Sequence, residues 1–174
     1  LSNGQEIQSP EFFKSNLKAI KSLNRQLSKK KKGSKNRRKS LKNLQRAYID
    51  ISNKRNDFEW KLAHELCKNH SFIALEDLNI EGMKQLWGRK VSDLSFSSFV
   101  LKLEQVANKY DTVVQKVDRW YASSKTCTCG VVNKELKLSD REWACPSCGK
   151  IHSRDLLASN NILSEGIRLY RTKC

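Results

Sequence analysis

Two pairs of cysteines, Cys127-Thr-Cys129-Gly130 and Cys145-Pro-Ser-Cys148-Gly149, lie either side of a short polar insert and constrain this chain more than any other feature. Each pair ends on a glycine, which admits the tight turn that points backbone N–H groups at sulfur. Four thiolates on two such turns match a tetrahedral Zn²⁺ site, with a disulfide or free thiols as the alternative. The second pair has the preferred spacing; the first is one residue short and makes a tighter turn. His152 stands close enough in sequence to substitute as a ligand, although an exposed histidine is the plainer expectation. A lone acid, Asp155, opens the apolar run that follows. The stretch from Tyr121 to Leu163 therefore reads as a metal module that delivers a carboxylate.

Charge points to the partner. The formal net charge is +16, and the segment from Lys14 to Arg55 alone carries +15, with sixteen Lys/Arg against the single acid Asp50. A field of that size favours a polyanion, because each neutralised phosphate releases condensed counterions. A solvated, charged helix pair is the bland alternative. An acidic membrane surface fits less well, since the basic face has no matching Trp/Phe-rich insertion face. No apolar run approaches the ~20 residues of a membrane span, and no secretory signal opens the chain. Four clustered cysteines, with Cys67 and Cys174 standing apart, suit a reducing, cytoplasmic setting better than a disulfide scaffold. The 174 residues suffice for one core plus a small metal-held module. Leu1 in place of an initiator methionine reads as the interior of a longer protein.

Taken in order, Leu1 to Pro10 carries an Asn3-Gly4 turn signal, as in the tail of a hairpin. From Glu11 to about Lys31, Leu17, Ile20, Leu23 and Leu27 recur at helical spacing. Eight basic residues between Lys29 and Lys39 then break the pattern, and their mutual repulsion is expected to hold open a basic tip. Leu41, Leu44, Tyr48, Ile51, Phe58 and Leu62 resume the register, interrupted by Arg55, and predict a long second helix that returns against the first and ends near Asn69. Ser71 to Leu75 predicts a buried strand ending in Glu76 and Asp77, and acids at such an end are well placed for chemistry. Ile80 to Asp93 is expected to be irregular, with Trp87 and Arg89 touching a partner or covering the core. A helix over Phe96 to Tyr110, a strand over Asp111 to Val117 and a closing helix over Asp155 to Tyr170 complete the pattern.

The order of these features, with LEDLN after the first strand and RWYASSKTCTCG, REWACPSCGKIHSRD and NIL later, resembles the C-terminal half of TnpB, the OrfB-type insertion-sequence transposases. The resemblance covers nearly the whole chain. It implies an α/β fold: part of a RuvC-like, RNase H-type domain (residues 1–120, with a helical hairpin over 11–69), a zinc ribbon (121–152) and a C-terminal RuvC-like helix (153–174). It further implies an endonuclease that cuts DNA under the direction of a guide RNA, and a cytoplasmic, nucleoid-associated setting. RuvC-type sites use three carboxylates to hold two Mg²⁺ ions. The second carboxylate falls on Glu76 and the third on Asp155, with Asp77 as a supporting residue. Cys127, Cys129, Cys145 and Cys148 match the zinc ligands.

Phosphate contacts are expected from Lys29, Lys30, Lys31, Lys32, Lys35, Arg37, Arg38, Lys39, Arg119 and Lys125. The first carboxylate belongs to a Gly-x-Asp-x-Gly motif that no residue here supplies, and the family's Asp-Arg-Asp-x-Asn run reads Ser153-Arg154-Asp155-Leu156-Leu157. Both departures predict a fragment or relic copy that is marginally folded and inactive alone. Two other classes compete: a non-catalytic, basic nucleic-acid-binding zinc-ribbon protein, and a ribbon of the transcription-factor kind. The second leaves LEDLN and the spacing to Asp155 unexplained. A DDE-type transposase is not required by a ribbon placed just before the last acid.

Overall fold

The computed structural model describes residues 1–137 and 139–173, with side chains except at positions 87, 89–92 and 94. The elements run α1 (Phe12–Ser28), α2 (Lys35–Asn69), β1 (Phe72–Glu76), α3 (Ile80–Leu94), α4 (Phe96–Tyr110), β2 (Val113–Val117), β3 (Glu142–Ala144), β4 (Ile151–Ser153) and α5 (Arg154–Arg171). This is a mixed helix and small-sheet architecture, consistent with the α/β expectation. The chain divides into two compact units. One comprises residues 1–8, 69–79 and 107–174, the other residues 9–68 and 80–106.

In the helical unit, the leucine spacing of α1 does what it predicts: Ile20 is buried against Leu44 and Ile51 of α2, with Phe12, Phe13, Leu23 and Leu27 packed around them. The α2 stripe is narrower than its sequence suggests, because Leu41 and Tyr48 stay exposed while Glu59, Ala63 and Cys67 go inside. The basic tip is not open. Ser34 accepts the Arg37 N–H on its Oγ at 3.1 Å and α2 starts at Lys35, so the five residues from Lys35 to Lys39 that were expected in the open tip are helical from the outset. Capping satisfies a first-turn N–H, and that local gain outweighs repulsion that water and salt screen. Arg37 closes the turn by donating from Nη1 to the carbonyls of Leu27, at 2.9 Å, and Lys30, at 3.3 Å.

The expectation of irregular structure over 80–93 is also corrected. Those residues form α3, interrupted only at Gly88, whose φ of 22° and ψ of −90° break the helix. Mixed polarity hid the helix because its buried contacts are polar: Asp93 accepts the N–H of Phe13 at 3.0 Å and of Lys14 at 3.2 Å, and binds Arg55 Nη2 at 2.8 Å. Glu11 makes no side-chain cap, so Asp93 caps α1 from a distant part of the sequence. It also explains why Arg55 interrupts an apolar stripe. The Trp87 and Arg89 side chains and Cys174 lie outside the described residues.

In the other unit, β1 and β2 form a parallel pair in the register Phe72↔Val113 to Glu76↔Val117. The first strand is half-buried along its whole length, where a fully buried one was expected. Helix α5 packs on both strands, crossing β1 where Gly166 meets Ala74, while Tyr170 stacks edge-on against Phe72 at 5.7 Å. A Cβ on Gly166 would lie 2.6 Å from the Ala74 Cβ. Replacing Gly166 with leucine is therefore expected to cost about 1–3 kcal/mol through overpacking, more than the helix propensity it gains. A lower urea midpoint would register this, and an unchanged midpoint would show that helix and strand separate freely. No described residues form a strand in Leu1 to Gln8, although the Asn3-Gly4 turn is present, with Gly4 N–H bonded to the Leu1 carbonyl at 3.1 Å.

Candidate metal centre and carboxylate site

The two knuckles converge. Sγ atoms of Cys127, Cys129, Cys145 and Cys148 all lie within 4.8 Å of one another, with Cys127 to Cys148 at 3.6 Å and Cys129 to Cys145 at 3.7 Å. For Zn–S bonds of about 2.3 Å, a tetrahedron has an edge of about 3.8 Å. The sulfurs are thus already spaced to hold a tetrahedral metal such as zinc. The missing residue of the first knuckle is absorbed in its turn. Gly149 N–H bonds to the Cys145 carbonyl, four residues back, whereas Gly130 N–H bonds to the Cys127 carbonyl, three residues back, each at 2.9 Å. Gly130 and Gly149 have φ of 89° and 72°, a backbone that favours glycine.

Strands β3 and β4 pair antiparallel with Trp143 opposite His152. Strand alternation turns both inward, and their rings sit 5.0 Å apart. Trp143 joins Cys127, Leu136, Cys145 and Leu157 in one buried cluster, and Leu157 belongs to α5. Histidine 152 is therefore not the exposed side chain its sequence suggested. It is 6% exposed, with Nε2 3.0 Å from Cys127 Sγ. The signal lay in its period-2 phase with Trp143 and Cys145 across the hairpin. The Cys127 thiol is drawn down to about 5, first by the Cys129 N–H and then, against burial, by His152 and the neighbouring thiols. Cys129 is pushed up to about 11: the Val131 N–H is the largest single influence and lowers it, but Cys127, burial and the other two sulfurs together outweigh it. These contacts thus favour the thiolate at Cys127 and disfavour it at Cys129.

Glu76 ends β1 opposite Val117, half-buried, and burial holds its carboxyl above the usual carboxylate range. Asp77 N–H continues the ladder to the Val117 carbonyl at 2.9 Å, and its carboxylate takes Arg119 Nη2 at 2.5 Å. The neighbouring acid is neutralised in this way, while Glu76 has no side-chain partner among the described residues. Asp155 stands in the first turn of α5, exposed and paired with Arg141 at 3.1 Å. Because Tyr170 meets Phe72 and Gly166 meets Ala74, α5 runs against the direction of β1. The eleven residues from Gly166 back to Asp155 span about 16 Å of helix, against about 7 Å of strand from Ala74 to Glu76. Asp155 accordingly lies beyond the carboxyl end of the strand, on the Glu76 side. Among the described residues, the four cysteines are the one group of three or more Cys, His, Asp or Glu side chains gathered within metal-binding reach.

The start of α5 is pinned from several directions. Arg154 N–H bonds to the Arg141 carbonyl at 2.8 Å, and Asn161 Nδ2 donates to the carbonyls of Ser123 and Thr126, each at 2.7 Å. Of the expected phosphate-contacting residues, Lys29, Lys30, Lys31, Lys32, Lys35, Arg38 and Lys39 are exposed. Arg37 is half-buried and committed to the turn, Arg119 to Asp77, and Lys125 is half-buried.

Residues 1–86 match a family model described as "Probable transposase", and residues 96–162 match one described as "Cas12f1-like, TNB domain". The second span contains all four cysteines and Asp155. The chain is 34% identical over 170 residues to a "Putative RNA-guided DNA endonuclease" of Streptomyces pristinaespiralis, covering 96% of this chain and 42% of that protein. It is 33% identical over 144 residues to a "TnpB-like protein" of Acanthamoeba polyphaga mimivirus, covering 78% of this chain and 27% of that protein. Identity to the Escherichia coli protein InsQ, bearing the same endonuclease description, is 29% over 183 residues, covering 95% and 46% respectively. The chain thus spans less than half the length of each of these relatives.

Proposed function

The chain belongs to the TnpB (OrfB-type) family, and from that premise we propose that it forms the ribbon-bearing, RuvC-like part of an RNA-guided DNA endonuclease. The observation that carries the reading is the carboxylate at the end of β1. Glu76 is half-buried and has no side-chain partner among the described residues, beside an Asp77 already held by Arg119, and Asp155 projects from the same end of the unit on a helix pinned to the metal module. A desolvated acid without a partner is disfavoured in its charged form, and a bound cation relieves that cost.

In this reading residues 1–120, 121–152 and 153–174 are a nuclease part with a helical hairpin, a zinc ribbon and a closing nuclease helix. Cys127, Cys129, Cys145 and Cys148 hold Zn²⁺ as a structural ion. Glu76 and Asp155 are ligands for Mg²⁺, which when bound supplies an activated water and charge stabilisation for phosphodiester hydrolysis. Arg141 guards Asp155 through an exposed pair that a cation can displace at little cost. The exposed lysines and arginines of the tip, with Arg119 and Lys125 as lesser candidates, bind DNA or guide RNA through phosphate, in a cytoplasmic, nucleoid-associated setting. No helix among the described residues is long and apolar enough to cross a membrane.

The sequence holds two of the three carboxylates the mechanism needs, so these 174 residues alone are expected to show no Mg²⁺-dependent cleavage. In an assembled nuclease containing them, Glu76→Gln and Asp155→Asn should each lower cleavage by about 10²–10³-fold or more, while DNA affinity and its salt slope stay unchanged. Cleavage by the 174 residues alone, or full cleavage by either variant, would refute the assignment. Retained binding with no cleavage in any assembly would favour a non-catalytic binder.

A further inference from the structure

Among the described residues, the shortest side-chain contact to a knuckle sulfur does not come from another cysteine. His152 Nε2 lies 3.0 Å from Cys127 Sγ, while the sulfur pairs stand at 3.6 and 3.7 Å. Two roles are open to an imidazole in this place. As a co-ligand of the same metal, a nitrogen at about 2.0–2.1 Å and a sulfur at about 2.3 Å would define a tetrahedral edge of about 3.5 Å. The observed separation is shorter than that edge, and His152 is not among the four groups that lie mutually within 4.8 Å. A direct N–H···S bond fits it better.

The ring is also built into place. His152 is 6% exposed, pairs across the hairpin with Trp143, and lies with its ring 5.0 Å from the indole. A buried ring donor directed at a thiolate satisfies a donor that would otherwise be costly to bury, and it removes negative charge from sulfur without occupying a coordination position. The contact falls on the shortened knuckle. There the turn closes over three residues, and the partner thiol Cys129 is exposed.

Resting on the zinc reading given above, we propose that His152 is a positioning residue of the metal centre: it donates Nε2–H to Cys127 Sγ, fixing the thiolate of the short knuckle, and it is not itself a ligand. Hydrogen-bonding partners behind metal ligands typically govern affinity by 10–100-fold. The test uses the whole 174-residue chain, with zinc competition against a chromophoric chelator and with Co²⁺ as a spectroscopic substitute. His152→Ala should bind zinc about 10–100-fold more weakly, with the thiolate-to-cobalt charge-transfer intensity per bound ion unchanged, because all four sulfurs remain ligands. His152→Gln, which keeps an N–H donor, should recover part of the affinity. Unchanged zinc affinity in His152→Ala, or a cobalt spectrum altered by the loss of a nitrogen ligand, would overturn the proposal. Should His152→Ala fail to take up metal at all, binding by His152→Gln supports the donor role and its absence refutes it. A wild-type chain that binds neither ion would overturn the zinc reading as well.

Discussion

Cys145→Ser, or stripping of metal by a strong chelator, is expected to release the segment from Tyr121 to Ser153 from its fold. The ribbon core consists of Cys127, Leu136, Trp143, Cys145 and Leu157, and two of these five are thiols of the proposed zinc site. So small a cluster buries too little apolar surface to offset the ordering of some thirty residues. A structural zinc site contributes an apparent 10–16 kcal/mol at neutral pH, enough to decide the outcome. Trp143, now buried, would become solvent-exposed and its emission would shift to the red. Hydrogen exchange would rise across β3, β4 and the first turn of α5, because Leu157 loses its neighbours, while α1 and α2 would remain protected. A chelated chain that keeps Trp143 buried would show that packing alone holds the ribbon.

The second large effect is expected at Lys102. Glu59 is 3% exposed, and its Oε2 is bound by Lys102 Nζ and by Ser98 Oγ at 2.8 Å, while Oε1 has no hydrogen-bond partner among the described residues. Lys102 also donates to Asn56 Oδ1 at 2.7 Å and lies 5.9 Å from the Trp60 ring centre. Lys102→Met leaves a carboxylate in the helical core without its counter-charge, a change that typically costs about 3–5 kcal/mol. Replacing both partners, as in Glu59→Leu with Lys102→Met, should restore most of that stability, since exchanging a buried ion pair for apolar packing of similar volume typically has little net cost. Urea midpoints of the two single variants and the double variant provide the measurement. If Lys102→Met unfolds at the wild-type midpoint, the ion pair is not what holds this part of the unit.

What could be read in the sequence was local. Spacing of three and four marks α1, α2, α4 and α5, and the compact apolar run at Phe72 marks β1, because period and burial are properties of neighbouring residues. Long-range polar contacts were not legible. Asp93 gives no sign that it caps α1 eighty residues upstream, so α3 read as irregular and Arg55 as an interruption. At the metal module the cysteines announced themselves, but the burial of His152 depended on a hairpin register that no single residue encodes. The exposed lysines of the tip were legible as charge; that Lys35 to Lys39 are already helical depended on the Ser34 cap.

The unequal closure of the two knuckles bears on how such a module tolerates change in length. Deleting one residue inside a strand reverses the facing of every side chain beyond it. Here the shorter pair sits outside β3 and β4, and the loss shrinks one hydrogen-bonded ring from a four-residue to a three-residue step. Nothing downstream changes phase: Trp143, Cys145 and His152 keep their common face. A knuckle of this kind acts as an expansion joint, in which a single-codon deletion is confined to the curvature of one turn and does not propagate to the hairpin or to the helix that carries Asp155.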